Sequence, residues 1–209
     1  MKVMLDLPVI TLDKKINYRD KNLLIDSCFS EEIGNKLREL KFSILQNPHG
    51  ILYDPLSISK SINSYSENIQ YKADDLFYQD ELWHSWQHHS IFSGIDKEDV
   101  LNKINRSQNK AYEFIITANW LIITFGSSFY YQLLTGKEVA NCHKAPSSDF
   151  TKKLLSIDEN IAAVSNSIQK LRKVNPAINI IFTVSPVRHT RQGIAQNNRS
   201  KARLIEAAH

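Results

Sequence analysis

The chain has little cysteine. It holds two, Cys28 and Cys142, in 209 residues, whereas small secreted domains held by disulfides carry several pairs. Two cysteines do not make a disulfide framework, so a reducing compartment is the simpler assumption. The sequence therefore predicts a cytoplasmic protein.

Long apolar runs are missing as well. No stretch approaches the roughly 20 apolar residues that a membrane-spanning helix needs. Residues 1–18 also lack the apolar core and the small-residue cleavage site of a signal peptide. We therefore expect neither a membrane span nor a secretory leader.

Charge of one sign is not concentrated anywhere. The formal net charge is +4, from 26 Lys and Arg against 22 Asp and Glu, and the basic residues are spread along the chain. Nucleic-acid-binding domains gather such residues on one face or one helix. We therefore expect a solvated, mildly basic surface and no nucleic-acid partner.

The composition that remains is typical of one soluble α/β domain. The 209 residues are 42% hydrophobic, which is enough for a substantial core. Short apolar runs of strand length alternate with longer segments of helical periodicity. The sequence therefore predicts a single domain built on a mostly parallel sheet.

One stretch, residues 23–37, has the pattern of a strand, a tight turn and a helix. The apolar run Leu23–Ile25 predicts a buried strand, small polar residues interrupt it, and apolar residues then recur at helical spacing. Ser27 falls where the strand ends and the helix begins, a place where free N–H groups can hold an anion. Two interpretations stay open: Ser27 takes part in chemistry, or Ser27 or Ser30 only caps the helix.

Two further buried strands end in small or polar residues. Residues 120–125 are followed by Gly126, and the β-branched run 178–184 is followed by the polar segment 185–189. Parallel strands of an open sheet present their carboxyl ends at one edge. We therefore expect Ser27, Gly126 and the segment 185–189 to converge on a site there.

The densest group of aromatic and histidine residues is Trp83–Gly94. His84 and His88 are four residues apart and would share one face of a helix, as two metal ligands do. No carboxylate or thiolate at short range completes such a set, so we expect no metal and no cofactor. We expect an irregular loop in which Trp83 and His88 face a substrate, and a simply packed aromatic loop is the alternative.

A polar segment, Gly136–Lys144, contains two further candidates. The Asn141 amide can donate to an oxyanion, and His143 can act as a base or as a hydrogen-bond partner. A purely structural polar loop is the other interpretation of the same residues.

Three separated blocks carry a resemblance to a known family. They read Asp-Ser-Cys-Phe-Ser at Asp26–Ser30, Asn-Cys-His-Lys at Asn141–Lys144 and Thr-Val-Ser-Pro-Val-Arg-His at Thr183–His189. In this order they resemble the GSCFA family, a branch of the SGNH/GDSL hydrolase-like superfamily. The resemblance implies a three-layer α/β/α fold with a central, mostly parallel sheet, similar to flavodoxin-like folds.

The resemblance also implies roles for single residues. Ser27 matches the serine nucleophile, and Gly126 matches the glycine that supplies an oxyanion N–H, with Ser127 and Asn141 as further oxyanion or substrate contacts. Cys28 is an alternative nucleophile, because a helix amino terminus lowers the pKa of a thiol.

The chain departs from the family's motifs at three positions. Asp26 stands where the family has glycine, His49 where it usually has phenylalanine, and Ser127 where it usually has threonine. SGNH-like enzymes also take their base from an Asp-x-x-His segment near the carboxyl terminus, and no such segment follows His189. We therefore expect a truncated domain without its last strand, with exposed apolar surface that promotes association, and name His189 and His143 as candidate bases.

Two classes of function stay open. The first is an esterase or acyltransferase acting on an O-acyl group, with a small-molecule or saccharide ester as substrate and Ser27 forming an acyl-enzyme. The second is a non-catalytic module that binds a carbohydrate or another ligand on the same fold. The oligomeric state does not follow from the sequence.

Overall fold

The structure is a computed structural model that describes residues 13–25, 28–188 and 193–209, with only the backbone of residues 28–30. Nine strands lie in the described residues: β1 (Lys21–Ile25), β2 (Ser43–Gln46), β3 (Leu76–Gln79), β4 (Leu82–Ser85), β5 (Trp120–Phe125), β6 (Phe129–Leu133), β7 (Glu138–Val139), β8 (Phe150–Leu154) and β9 (Asn179–Val184). The same residues form five α-helices: α1 (Cys28–Glu39), α2 (Pro55–Glu67), α3 (Lys97–Ile115), α4 (Ile157–Val174) and α5 (Ile194–Ala208).

The central sheet has four strands in the order β2-β1-β5-β9, all parallel. Crossovers in such sheets are right-handed, and the β1-to-β2 connection runs in the opposite direction to the β2-to-β5 connection. Their helices therefore lie on opposite faces of the sheet. This confirms the predicted three-layer α/β/α arrangement with a central parallel sheet.

The core lies between this sheet and the helices. β5 reads Trp-Leu-Ile-Ile-Thr-Phe, and Leu121 and Ile123 are fully buried, as expected for a strand covered on both faces. The main cluster also takes apolar side chains from β1 and from four helices: Leu23, Ile25, Ile58, Ile62, Ala111, Ile115, Leu171 and Leu204. In the described residues, no helix has the length and the apolar character needed to cross a membrane.

Two helix starts follow different cap chemistry. For α4 the sequence predicts Ser156 or Asp158 as the cap. The Ser156 hydroxyl accepts from the Glu159 N–H, and the Glu159 carboxylate accepts from the Ser156 N–H, so Ser156 is the cap. For α2 the sequence predicts Ser57 or Ser59 as the cap, and this prediction is wrong. Asp54 is the cap, and its carboxylate accepts from both the N–H and the hydroxyl of Ser57.

The histidine-rich segment is a β-hairpin followed by a turn, not a helix or an irregular insertion. β3 and β4 pair antiparallel around a two-residue loop, Asp80 and Glu81, whose φ angles are 48° and 61°. Such a loop usually carries Asn-Gly or Asp-Gly, and residues 80 and 81 contain no glycine, so the hairpin is hard to predict from the sequence. His84 lies on β4 and His88 lies beyond it, and the expected shared helix face of His84 and His88 does not exist.

A second small sheet was also missed. β6 pairs antiparallel with β7 and with β8. Residues 150–154 form β8, an edge strand of this sheet, and helix α4 starts only after Ser156.

Candidate functional site

The carboxyl ends of β1, β5 and β9 lie side by side, because the three strands are adjacent and parallel. The strand order reverses between β1 and β5, and at such a switch point open α/β sheets bind their ligands. Ser27 and His189 are predicted to react here, and both lie outside the described residues. The described part of the edge consists of the start of α1, the Gly126 turn and Ser185.

The Gly126 turn points two backbone N–H groups at one oxygen. The N–H of Gly126 donates to the Tyr53 carbonyl at 2.8 Å, and the N–H of Ser127 donates to the same oxygen at 2.9 Å. Two N–H groups that converge on one oxygen are the arrangement of an oxyanion hole. In this conformation the Tyr53 carbonyl holds that position, so an oxyanion there would have to replace it.

Glycine is required at 126 by its contact with Tyr53. A Cβ at Gly126 would lie 2.9 Å from Tyr53 Cδ1, closer than side chains approach one another. The Tyr53 ring and carbonyl thus both fit against a residue without a side chain, which fixes the turn at the end of β5.

Helix α5 holds the same turn from the other side. The Ser200 hydroxyl accepts from the N–H of Ser128 at 2.8 Å. The Lys201 ammonium donates to the carbonyls of Gly126 at 2.7 Å and of Ser185 at 2.6 Å, and burial lowers the pKa of Lys201. Lys201 therefore ties the ends of β5 and β9 together.

Replacing Lys201 by methionine tests that role. Lys201→Met keeps the apolar stem, removes the terminal ammonium and leaves two carbonyls without their charged donor, so we expect a loss of about 2 kcal/mol in the free energy of unfolding. Lys170→Met is the control, because Lys170 makes an exposed ion pair with Glu67, worth less than about 1 kcal/mol. Urea unfolding followed by tryptophan fluorescence measures both. Equal losses for the two variants would show that Lys201 holds nothing in place.

His88 lies inside the protein. It is 1% exposed, its ring centroid is 4.1 Å from that of His49, and its Nδ1 lies 2.9 Å from the Ser85 hydroxyl. Tyr71 and Phe92 also pack against it. Burial lowers the pKa of His88 well below its usual value, so the ring is a neutral core group in this conformation.

His143 contacts the backbone of Ser85, and Asn141 is hydrogen-bonded to His143. His143 Nε2 donates to the Ser85 carbonyl at 2.8 Å, and the Asn141 side-chain oxygen accepts from the N–H of His143 at 2.8 Å. His143 is 7% exposed, and burial lowers its pKa to about 4. With the proton on Nε2, Nδ1 carries the lone pair that a base needs, and no partner for Nδ1 is found among the described residues.

The two tryptophans of this segment serve in packing. The Lys97 ammonium lies 4.5 Å from the centre of the Trp83 ring, and Tyr78 packs beside it. Trp86 stacks on Phe77 with a centroid distance of 3.6 Å.

The predicted residues thus form two groups. Gly126 and Ser127 lie at the sheet edge, and His88, Asn141 and His143 lie around Ser85. The loop between β2 and α2 joins them, since His49 contacts the second group and Tyr53 the first. Within the described ranges, no three His, Cys, Asp or Glu side chains come close enough to hold a metal ion.

Several residues near this edge could not be predicted from the sequence. Ser200 and Lys201 share a helix face with the buried Leu204, and this stripe of helical spacing was the available signal. His89, next to the buried His88, lines a cleft of about 270 Å³ beside α1. We call this the α1 cleft, and its walls are Glu31, Asn35, Arg38, Gln46, Asn47, Gly50, Ile51, His89 and Ile91.

Comparison with known proteins gives one match. The sequence model of the GSCFA family matches residues 21–209. No curated protein and no solved structure matches the chain.

Proposed function

Since the chain belongs to the GSCFA family, we propose that it is an SGNH-like serine hydrolase, an esterase or acyltransferase that acts on an O-acyl group. One observation carries the proposal. β1 and β5 end side by side at the switch point of the sheet, and Ser27 follows the end of β1 by two residues in the sequence. In the sequence Ser27 directly precedes Cys28, the first residue of α1, and the start of a helix leaves N–H groups free to stabilise negative charge.

In the proposed reaction the Ser27 hydroxyl attacks the acyl carbon. The bond from this carbon to the alcohol oxygen breaks, and a base carries the proton from Ser27 to the departing alcohol. Water, or a second alcohol, then takes the acyl group from Ser27 by the reverse sequence of proton transfers. Each backbone N–H that reaches the oxyanion contributes on the order of 3 kcal/mol, and Gly126 supplies one once the Tyr53 carbonyl has moved away.

The base in this proposal is His143 or His189. The tautomer of His143 supports its candidacy, because Nδ1 carries a lone pair in a ring that is neutral at pH 7. His189 follows the end of β9 by five residues in the sequence.

A non-catalytic binding module is the second candidate. The contact of the Tyr53 carbonyl with the Gly126 and Ser127 N–H groups favours it, because an oxyanion hole filled by the protein's own backbone stabilises no transition state.

Labelling with a fluorophosphonate probe separates the two candidates. If Ser27 is activated, the probe modifies Ser27, and peptide mass spectrometry finds the adduct there. Ser27→Ala abolishes the labelling, while Ser30→Ala, three residues away, keeps it. His143→Ala and His189→Ala then identify the base, since only loss of the base slows labelling at an intact Ser27. Absence of any adduct on the folded protein would contradict the enzyme and leave the binding module.

A further inference from the structure

The α1 cleft opens between the first turns of α1 and the loop that follows β2. Glu31 lies in the first turn of α1, and Asn35 and Arg38 follow on the same side of the helix. Across the cleft stand Ile51 and Ile91, which add apolar surface to otherwise polar walls. Its volume of about 270 Å³ is near the lower end for small-molecule sites.

Arg38 is fixed by two amides. One guanidinium nitrogen donates to the Asn35 side-chain oxygen at 2.8 Å, and another donates to the Gln46 side-chain oxygen at 3.2 Å. Once its oxygen accepts from Arg38, the Asn35 amide has N–H donors to offer a ligand. The planar groups on this wall are therefore held in one orientation before a ligand arrives.

His89 presents a donor rather than a base. Its Nδ1 accepts from the Ile91 N–H at 3.3 Å, so the neutral ring carries its proton on Nε2. Burial lowers the pKa of His89, which keeps the ring neutral at pH 7. The backbone N–H of His89 donates to the His49 carbonyl at 2.9 Å, and this bond holds the backbone of His89 in place on the wall.

We propose that the α1 cleft binds the carbohydrate portion of the ester substrate, as one neutral sugar ring. Glu31 offers an acceptor, Asn35, Arg38 and His89 offer donors, and the charges of Glu31 and Arg38 balance. A sugar hydroxyl both donates and accepts, so it satisfies such a mixed set, whereas an anion would leave Glu31 facing like charge. The identity of the ligand as a substrate rests on the proposed function, but the binding does not.

The test is a titration of the ¹⁵N-labelled protein with a panel of sugars, followed by NMR. The panel contains the methyl glycosides of glucose, galactose, mannose and xylose, and N-acetylglucosamine. We expect at least one of them to shift the resonances of Glu31, Asn47 and His89, with an affinity on the order of 1 mM. Inorganic phosphate and acetate serve as anion probes and should leave these resonances in place.

Matched variants locate the site. Glu31→Gln and Arg38→Gln should each weaken binding about tenfold, because each removes a charged hydrogen-bond partner. Glu32→Gln and Lys36→Gln change the same charges on α1 outside the cleft and should bind as the wild type does. Gly34→Ala gives a further check, since its Cβ would lie 2.6 Å from the Gln46 side-chain oxygen and would displace the support of Arg38.

The proposal is overturned if no sugar shifts these resonances, if phosphate shifts them and sugars do not, or if the control variants weaken binding equally. Ser27→Ala should bind the sugar with unchanged affinity. Binding without fluorophosphonate labelling would therefore refute the hydrolase and keep the sugar site, and labelling without binding would do the reverse.

Discussion

Gly50→Ala is expected to lower the free energy of unfolding by about 3 kcal/mol. Gly50 has a φ of 78°, where an L-residue costs about 1 to 2 kcal/mol. A Cβ there would also lie 2.2 Å from His89 Cβ, so backbone must move, and such overpacking costs a further 1 to 3 kcal/mol or so. Urea unfolding followed by the fluorescence of the three tryptophans measures the loss.

Gly136→Ala is the matched control for this variant. Gly136 has a φ of 92°, but its Cβ would meet nothing closer than 3.8 Å. It therefore pays only the backbone cost, about 1 kcal/mol. If the two variants lost equal stability, the close packing of His89 on the loop after β2 would contribute nothing.

Stability is expected to fall steeply as the pH drops from about 6.5 towards 4. His49 is buried, and burial lowers its pKa from 6.5 to about 4; burial also lowers the pKa of His143 to about 4 and that of His88 well below 6.5. In this pH range these histidines bind protons in the unfolded chain but stay neutral in the folded protein, so acid favours unfolding. For His49 alone the loss at pH 5 is about 2 kcal/mol.

Asp54 acts in the opposite direction. Burial raises the pKa of its carboxyl from 3.8 to about 6, so between these values the folded protein binds a proton that the unfolded chain does not. This contributes about 1 kcal/mol of added stability at pH 5. Because three buried histidines oppose one aspartate, the net slope follows the histidines.

His49→Phe isolates the contribution of one ring. Phenylalanine keeps the aromatic contacts with Tyr65 and His88 but cannot bind a proton or hydrogen-bond Gln108, which lies 3.0 Å from His49 Nε2. At pH 7.5 we expect a loss of about 1 kcal/mol from the weakened partner, and at pH 5 a variant more stable than the wild type. Urea unfolding at a series of pH values measures both curves, and parallel curves would show that His49 does not carry the acid sensitivity.

The central sheet could be predicted from the sequence because its strands are nearly continuous apolar runs. Residues 120–125 and 178–184 are too short for helices and rich in β-branched residues, so length and composition agree. The cap of α4 could also be predicted, since Ser156 and Glu159 have the spacing of a capping box. The cap of α2 was predicted wrongly because Ser57 and Ser59 are also preferred cap residues, and only the structure shows that Ser57 donates to Asp54 rather than accepting.

The candidate site was predicted less completely. The convergence of strand ends follows from topology, so the position of Gly126 could be inferred. The partners of that turn could not, because the Tyr53 carbonyl and Lys201 come from segments far away in the sequence. The shared helix face predicted for His84 and His88 was wrong, because a spacing of four residues indicates one helix face only if a helix is present. The hairpin was not recognised instead, because its turn at Asp80 and Glu81 lacks the usual glycine.

The strand β1 finds its two neighbours at very different times during synthesis. Its pairing with β2 is local, but Asn22 pairs with Trp120 on its other side. At about 5 to 20 residues per second a ribosome needs on the order of 5 to 20 s to make the intervening chain. During that interval the most apolar strand of the amino-terminal half has unpaired backbone N–H and C=O groups along one edge, which makes the nascent chain a candidate for chaperone binding. The pairing of β1 with β5 is also the slow, non-local step in the folding of the sheet.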